Sequence, residues 1–364
     1  MAKPILAILT DSIRYDNQHP LKYFKQFQVK HFYNNAPYGD LSKSDLNPPA
    51  GGAIKWDNFD ALEKKLLNLK PDILQGSEPY ASKTALRICL LTMKIARKLS
   101  IPYIFPMFEN RPVKDRLGVI TGSILKKILA NYTKNAALIF YLNDGAKRNL
   151  LEVSVDPKKL KRELYGIWGV DIGLFRPLTK KVTPQGCCWK GQILFVGRLD
   201  EAKGIPYLLD AWNSIKSDFQ DIEMVFIGKG ELEDKVKGEQ IKRVSWMKTQ
   251  DLPAYFAHAL FTVYPSVTLK KWEEQVGTVN LQSLSCGVPV ITTKSGAIPE
   301  YISDKVGILV PERNSKALAQ AMKKLLKNPK LRQKLGDAGR KLALEKYDAA
   351  KNIERIEKIL LGLL

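Results

Sequence analysis

Phe195-Val196-Gly197-Arg198-Leu199-Asp200-Glu201-Ala202-Lys203-Gly204 reads as the end of a buried strand, a glycine turn and a loop that presents two cations. Open α/β sheets bind ligands beyond the carboxyl ends of their strands, where Arg198 and Lys203 would stand. Two cations there suit a diphosphate. The alternative is two solvated side chains on a loop.

The pattern extends in both directions. Short apolar runs at 5–9, 72–75, 103–105 and 137–141 alternate with helical patterns at 60–69 and 83–99. Runs at 193–196, 223–227, 261–264 and 288–291 follow, with a helical pattern at 315–326. Strands alternating with helices predict an α/β protein of parallel sheets covered on both faces. The architecture occurs twice, as 364 residues would suggest. Residues 178–192 are polar and irregular, with Pro184 and Gly186, and read as the linker. In 349–364 the residues Ile353, Ile356, Ile359, Leu360 and Leu363 form one apolar helical stripe that needs a packing partner.

Two further turns carry chemistry. Ile227-Gly228-Lys229-Gly230 resembles a shortened nucleotide loop, or is a plain tight turn. From Trp272 to Ile291, Gly277 opens a helix that ends at Gly287, with Glu274 just before it and Gln282 two turns in. A helix N-terminus is a ready phosphate site. Thr292 to Glu300 reads as a loop ending in an acid.

Together these segments resemble the retaining glycosyltransferases of family 4, also called glycosyl transferases group 1, of the GT-B fold. The matching pieces are Gly169-Val170-Asp171, Phe175-Arg176-Pro177, Gly197-Arg198-Leu199, Lys203-Gly204 and Pro265-Ser266. Glu274 to Gly277, Cys286 to Val290 and Gly296 to Glu300 continue the series. The resemblance implies two Rossmann-like domains facing a central cleft. The first would be 1–178 plus the returning helix 349–364, and the second 190–348. It implies transfer of a sugar from a nucleotide-diphosphate donor with retention, and no cofactor or metal ion. No Asp-x-Asp occurs in the sequence.

The implied catalytic set is Glu274, Arg198 and Lys203. Donor contacts would come from Gly197, Gly228, Gly230, Gln275, Val276, Gly277, Thr278 and Gln282. On the acceptor side stand Glu109, Asn110 and Asp11. Three departures appear. Gln282 replaces the second glutamate of the family's pair. Phe108 stands where many relatives carry a histidine. Thr10-Asp11-Ser12-Ile13-Arg14 replaces a Gly-Gly loop. They motivate an alternative, a weak or inactive GT-B protein that binds a nucleotide sugar or a partner. His19, His31 and His258 lie outside the donor motifs; His258 reads as a helix-surface residue and His19 as a loop residue near the end of the first strand, with a cleft-facing His19 the minor alternative. Trp168, Trp189 and Trp272 read as packing residues.

The net charge is +21, and residues 1–177 hold 28 Lys+Arg against 16 Asp+Glu. This suggests an anionic partner for the first half; the alternative is a lysine-rich solvated surface. No nucleic-acid motif accompanies the charge, so nucleic acid is excluded as a partner. The segment 120–132 places Ile120, Ile124, Ile128 and Tyr132 along one face, among Arg111, Lys114, Arg116, Lys126, Lys127 and Lys134. A basic amphipathic helix reads as membrane-surface binding. Otherwise it packs on its own sheet. The expected location is the cytoplasm, peripheral on the inner face of the cell membrane, with an acceptor sugar or lipid-linked acceptor. The start of the chain lacks a signal-peptide pattern. Cys89, Cys187, Cys188 and Cys286 suggest neither a zinc site nor a disulfide framework.

Overall fold

A computed structural model describes residues 2–37, 41–178 and 191–364. The chain divides into two units, one running to Gly169 and taking in Ala349–Leu364, the other Val170–Asp348. The expected linker, with Pro184, Gly186, Cys187, Cys188 and Trp189, falls largely on 179–190, outside the described residues.

The first unit holds β1 (Ile5–Ser12), β2 (Gln28–Asn35), β3 (Gly51–Lys55), β4 (Ile73–Gln75), β5 (Tyr103–Met107), β6 (Leu138–Tyr141) and β7 (Leu160–Arg162). They form one sheet in the order β3-β2-β1-β4-β5-β6-β7, with every neighbouring pair parallel. Side chains alternate between its two faces. Leu74, Phe105 and Ile139 join one core with Ile88 and Ile95 of the helix Lys83–Leu99. Leu6, Ile8, Ile73, Ile104 and Phe140 join the other with Ile353, Ile356 and Leu360 of the helix Ala349–Leu361. The apolar stripe of 349–364 thus finds its partner in the first unit.

The second unit holds β8 (Gly191–Val196), β9 (Ile222–Ile227), β10 (Ile241–Val244), β11 (Ala259–Tyr264), β12 (Val290–Thr293) and β13 (Gly307–Val310). Their order is β10-β9-β8-β11-β12-β13, again all parallel. Each sheet winds outward in both directions from its first strand. The order therefore reverses between β1 and β4, and between β8 and β11, which are the crevices where such sheets take ligands.

The strands β2, β3, β7, β10 and β13 were not among the apolar runs. Most carry charge or glycine, as in Ile241-Lys242-Arg243-Val244. β3, β7, β10 and β13 close the four sheet edges, where half the backbone needs no strand partner. Residues 170–178 were expected with the first domain and belong to the second unit. The reason is local bonding: Val170 N donates to Tyr347 O, and both Ser285 Oγ and Arg340 donate to Phe175 O. The stretch Thr292 to Glu300 is also corrected. β12 runs through Thr293, and Glu300 sits in the short helix Ile298–Tyr301.

Candidate functional site

The crevice of the second sheet is built by two glycine turns that touch. Gly228 approaches Gly197 so closely that a Cβ on it would lie 2.0 Å from the Gly197 carbonyl oxygen. Leu199 N donates to Lys229 O at 2.9 Å, which locks the turns together. Both glycines follow strand ends, and only a residue without a side chain permits this approach.

Beyond the turn, Asp200 organises both cations. Its Oδ1 accepts from Lys203 N at 3.0 Å and caps the short turn Glu201–Lys203. Its Oδ2 lies 3.1 Å from Arg198 Nε. Lys203 then reaches across to Glu274, and its Nζ donates to Oε1. The same oxygen accepts from Ser266 Oγ at 2.9 Å. The Lys203 ammonium also stands 4.5 Å from the centre of the Trp272 ring, a cation–π contact. Trp272 is thus part of the site and not merely packing. Nothing in its place in the sequence distinguished it from a core tryptophan.

Gly277 caps the helix Thr278–Ser285 in the left-handed region at φ +72°, a conformation that favours glycine. The helix begins four residues after Glu274, and its first N–H groups have no partner within the helix. Val276 is buried, while Gln275, Thr278 and Gln282 are half-buried. The structure therefore gathers Gly197, Arg198, Lys203, Gly228, Gly230, Glu274 and the 275–278 segment at one end of one sheet. Gln282 lies one turn further along the helix.

The crevice of the first sheet holds a cavity of about 340 Å³. Asp11 lines it, and so does Phe108 in place of a histidine; Glu109 and Asn110 do not. The Glu109 carboxylate is buried and turned away to Arg111 Nε at 3.2 Å. His31, Gln75 and Glu78, which sequence reading did not select, line the cavity as well. His19 does not. Its Nδ1 is 2.5 Å from Asp45 Oδ1, and its ring stacks on Tyr15. His258 ends the helix Leu252–His258 and is half-buried.

The expected amphipathic face also changes. The helix runs Val119–Asn135, and its C-terminal half packs inward, with Leu129 and Tyr132 in the core. Its first half stands out: Val119, Ile120 and Ile124 are 73%, 80% and 57% exposed. Arg111 and Lys126 are drawn off to Glu109 and Glu152. Lys114, Lys127 and Lys134 stay exposed. No helix among the described residues is long and apolar enough to cross a membrane.

Two all-parallel doubly wound sheets in one chain, each with a ligand crevice where its strand order reverses, define the GT-B class. Residues 190–342 match the family described as glycosyl transferases group 1. Spore coat protein SA of Bacillus subtilis is 30% identical over 167 residues, 42% of this chain and 43% of that protein. A phosphatidyl-myo-inositol mannosyltransferase of Mycobacterium leprae is 31% identical over 161 residues, 43% and 42% of the two chains. The match thus spans less than half the length of each of these two curated relatives. Among solved structures, HepE of Anabaena in complex with UDP and glucose aligns over 99% of this chain and 100% of its own, with TM-score 0.78 and 16% identity. That likeness shows the fold.

Proposed function

We propose that this chain is a retaining glycosyltransferase. The second unit holds a nucleotide-diphosphate sugar and the first holds the acceptor. The observation that carries the reading is the arrangement at the second crevice: Arg198 and Lys203, each steered by a carboxylate, beside a glycine-capped helix N-terminus. As the bond from the anomeric carbon to the diphosphate breaks, charge builds on the leaving oxygen. Fixed cations and N–H dipoles stabilise that charge without reorganising. The bond to the acceptor oxygen forms on the same face of the sugar, and the leaving phosphate takes the acceptor proton. Glu274 holds Lys203 in place and faces the sugar. The names of the relatives support this reading, since one is a mannosyltransferase and the HepE complex holds UDP and glucose.

The finer statements belong to the same proposal. The reaction runs without a metal ion, because the cations that offset the diphosphate are side chains. The acceptor is lipid-linked, and the first unit meets an anionic membrane surface through Val119, Ile120, Ile124 and the neighbouring lysines.

Arg198 is the cleaner probe. Its side chain is largely exposed, so Arg198→Ala should leave stability unchanged and lower transfer by about 10²–10³-fold. Lys203→Ala should lower transfer as far, and should also destabilise by about 1–3 kcal/mol because the buried Glu274 loses its cation and keeps the Ser266 hydroxyl. Transfer and donor hydrolysis, measured beside thermal unfolding, test both. Full activity in both variants removes the assignment. Nucleotide-sugar binding without turnover by the wild type supports the binding-only alternative instead.

A further inference from the structure

Three segments of the second unit leave the carboxyl ends of neighbouring parallel strands: 265–276 after β11, 294–297 after β12 and 311–314 after β13. The first carries Trp272 and Glu274, the two groups that meet the Lys203 ammonium. Its start is pinned twice. Val267 N donates to Ala202 O at 2.9 Å, and Thr293 Oγ1 donates to Ser266 O. Its far end is pinned where Ala297 N donates to Glu274 O at 2.9 Å. Between these points the chain makes a tight turn. Leu269 N donates to Trp272 O at 2.8 Å, and Trp272 N to Leu269 O at 3.2 Å. Trp272 therefore stands where Leu269, and Thr268 before it, put it.

Two consecutive residues hold Thr268. Glu312 Oε2 accepts from Thr268 N at 2.6 Å, and its Oε1 from Thr268 Oγ1 at 2.9 Å. Arg313 Nη2 donates to Thr268 O. A carboxylate that takes one N–H and one O–H from a single residue makes two charge-assisted hydrogen bonds and fixes that residue's direction as well as its place. Arg313 itself lies in the left-handed region at φ +56°. A residue other than glycine keeps that conformation where its surroundings over-determine it. The ion pair between Arg313 and Glu312, 3.5 Å apart with Arg313 half-exposed, contributes little by itself. The hydrogen bonds to Thr268 are what hold the turn.

We propose that Glu312, backed by Arg313, is a positioning residue of the donor site: through Thr268 it sets the Trp272 ring against the Lys203 ammonium. When a diphosphate arrives, Lys203 exchanges part of its hold on Glu274 for the new anion. The ring face brings no competing charge and keeps the ammonium in place through that exchange. That a diphosphate meets this ammonium rests on the proposed function; the positioning does not.

Fluorine NMR on the full chain carrying 5-fluorotryptophan tests the positioning without ligand or turnover. Trp272→Phe and Trp212→Phe identify two of the six tryptophan signals. Lys203→Met, which removes the ammonium, should shift the Trp272 signal. Glu312→Ala should shift or broaden it comparably, and should leave the signal of Trp212, buried in the same unit, in place. Glu312→Gln should restore it, because the amide accepts from Thr268 N and donates to Thr268 Oγ1. If the alanine variant fails to fold, Glu312→Met removes both acceptors while filling the same space. Calorimetry with UDP and GDP adds the functional readout. The nucleotide that the wild type binds should be weakened tenfold or more by Glu312→Ala and less than threefold by Glu312→Gln. The proposal is overturned if the Trp272 signal stays at its wild-type position in Lys203→Met or Glu312→Ala, or if the Trp212 signal moves with it. It is equally overturned if glutamine displaces the signal as far as alanine does, or if Glu312→Ala changes nucleotide affinity less than twofold. A wild type that binds neither nucleotide, with the Trp272 signal displaced as expected, would count against the proposed function alone.

Discussion

His31 shows what one side chain contributes and at what pH. Its burial disfavours the imidazolium, so the folded chain keeps it neutral down to about pH 3, while in the unfolded chain it protonates near 6.5. Between those values the unfolded state binds a proton that the native state refuses. Stability from this group is therefore complete above 6.5 and falls as the pH drops towards 3, by up to about 1.4 kcal/mol per unit. Between pH 7 and pH 5 the loss is about 2 kcal/mol. His31→Gln removes that share, so the stability gap between wild type and variant should shrink by that amount at pH 5. Urea unfolding of both at the two pH values measures it. A gap that is the same at pH 7 and pH 5 contradicts the assignment. Lys203 and Glu274 were legible in the sequence because each sits in a recurring spacing. Gln75 and His31 were not, since nothing local distinguishes a cavity-facing polar residue from a solvated one.

At the scale of elements, the last helix shows why a pattern alone was insufficient. Its stripe announced burial without naming the partner. The partner is the face of the first sheet that carries Leu6, Ile8 and Ile104. Among the polar contacts at the join, the Glu357 carboxylate makes three. Glu357 is 2% exposed, and its Oε1 accepts from the backbone N–H of Lys25, Gln26 and Phe27 at 2.8, 2.6 and 3.2 Å. Glu357→Leu leaves three N–H groups without that acceptor and should destabilise the first unit by about 3 kcal/mol, whereas Glu357→Gln keeps an oxygen and should cost about half as much. Chemical denaturation followed by tryptophan fluorescence checks this, because Trp168 lies in the same core. Equal stability in both variants would show that the contact is incidental.

At the scale of the whole molecule, the sign and placement of charge support the proposed anionic membrane partner. The first 177 residues carry most of the excess of cations, and an apolar cluster of Val119, Ile120 and Ile124 is exposed in the same unit. Each basic residue near an anionic leaflet contributes about 1 kcal/mol, and three embedded aliphatic side chains add apolar burial. The full chain should co-sediment with vesicles containing phosphatidylserine and remain in solution with pure phosphatidylcholine. Ile120→Asp together with Ile124→Asp should abolish recovery. Equal recovery with both vesicle types, or none with either, rejects the membrane reading.

The sequence by itself determined the α/β class, the doubling of the architecture and the donor-side motif, because parallel-sheet strands are continuous apolar runs and the glycine turns sit at their ends. It also placed Arg198, Lys203, Glu274 and Gly277 within one family pattern. Tertiary structure alone decided that 170–178 pack with the second unit, that Tyr132 turns inward while Ile120 does not, and that Glu109 points to Arg111 and not into the cavity. The physical reason is the same in each case. Burial and hydrogen bonding depend on groups far apart in the chain, such as Phe175 with Arg340 or Ile8 with Gln75, and periodicity reports only on neighbours within one element.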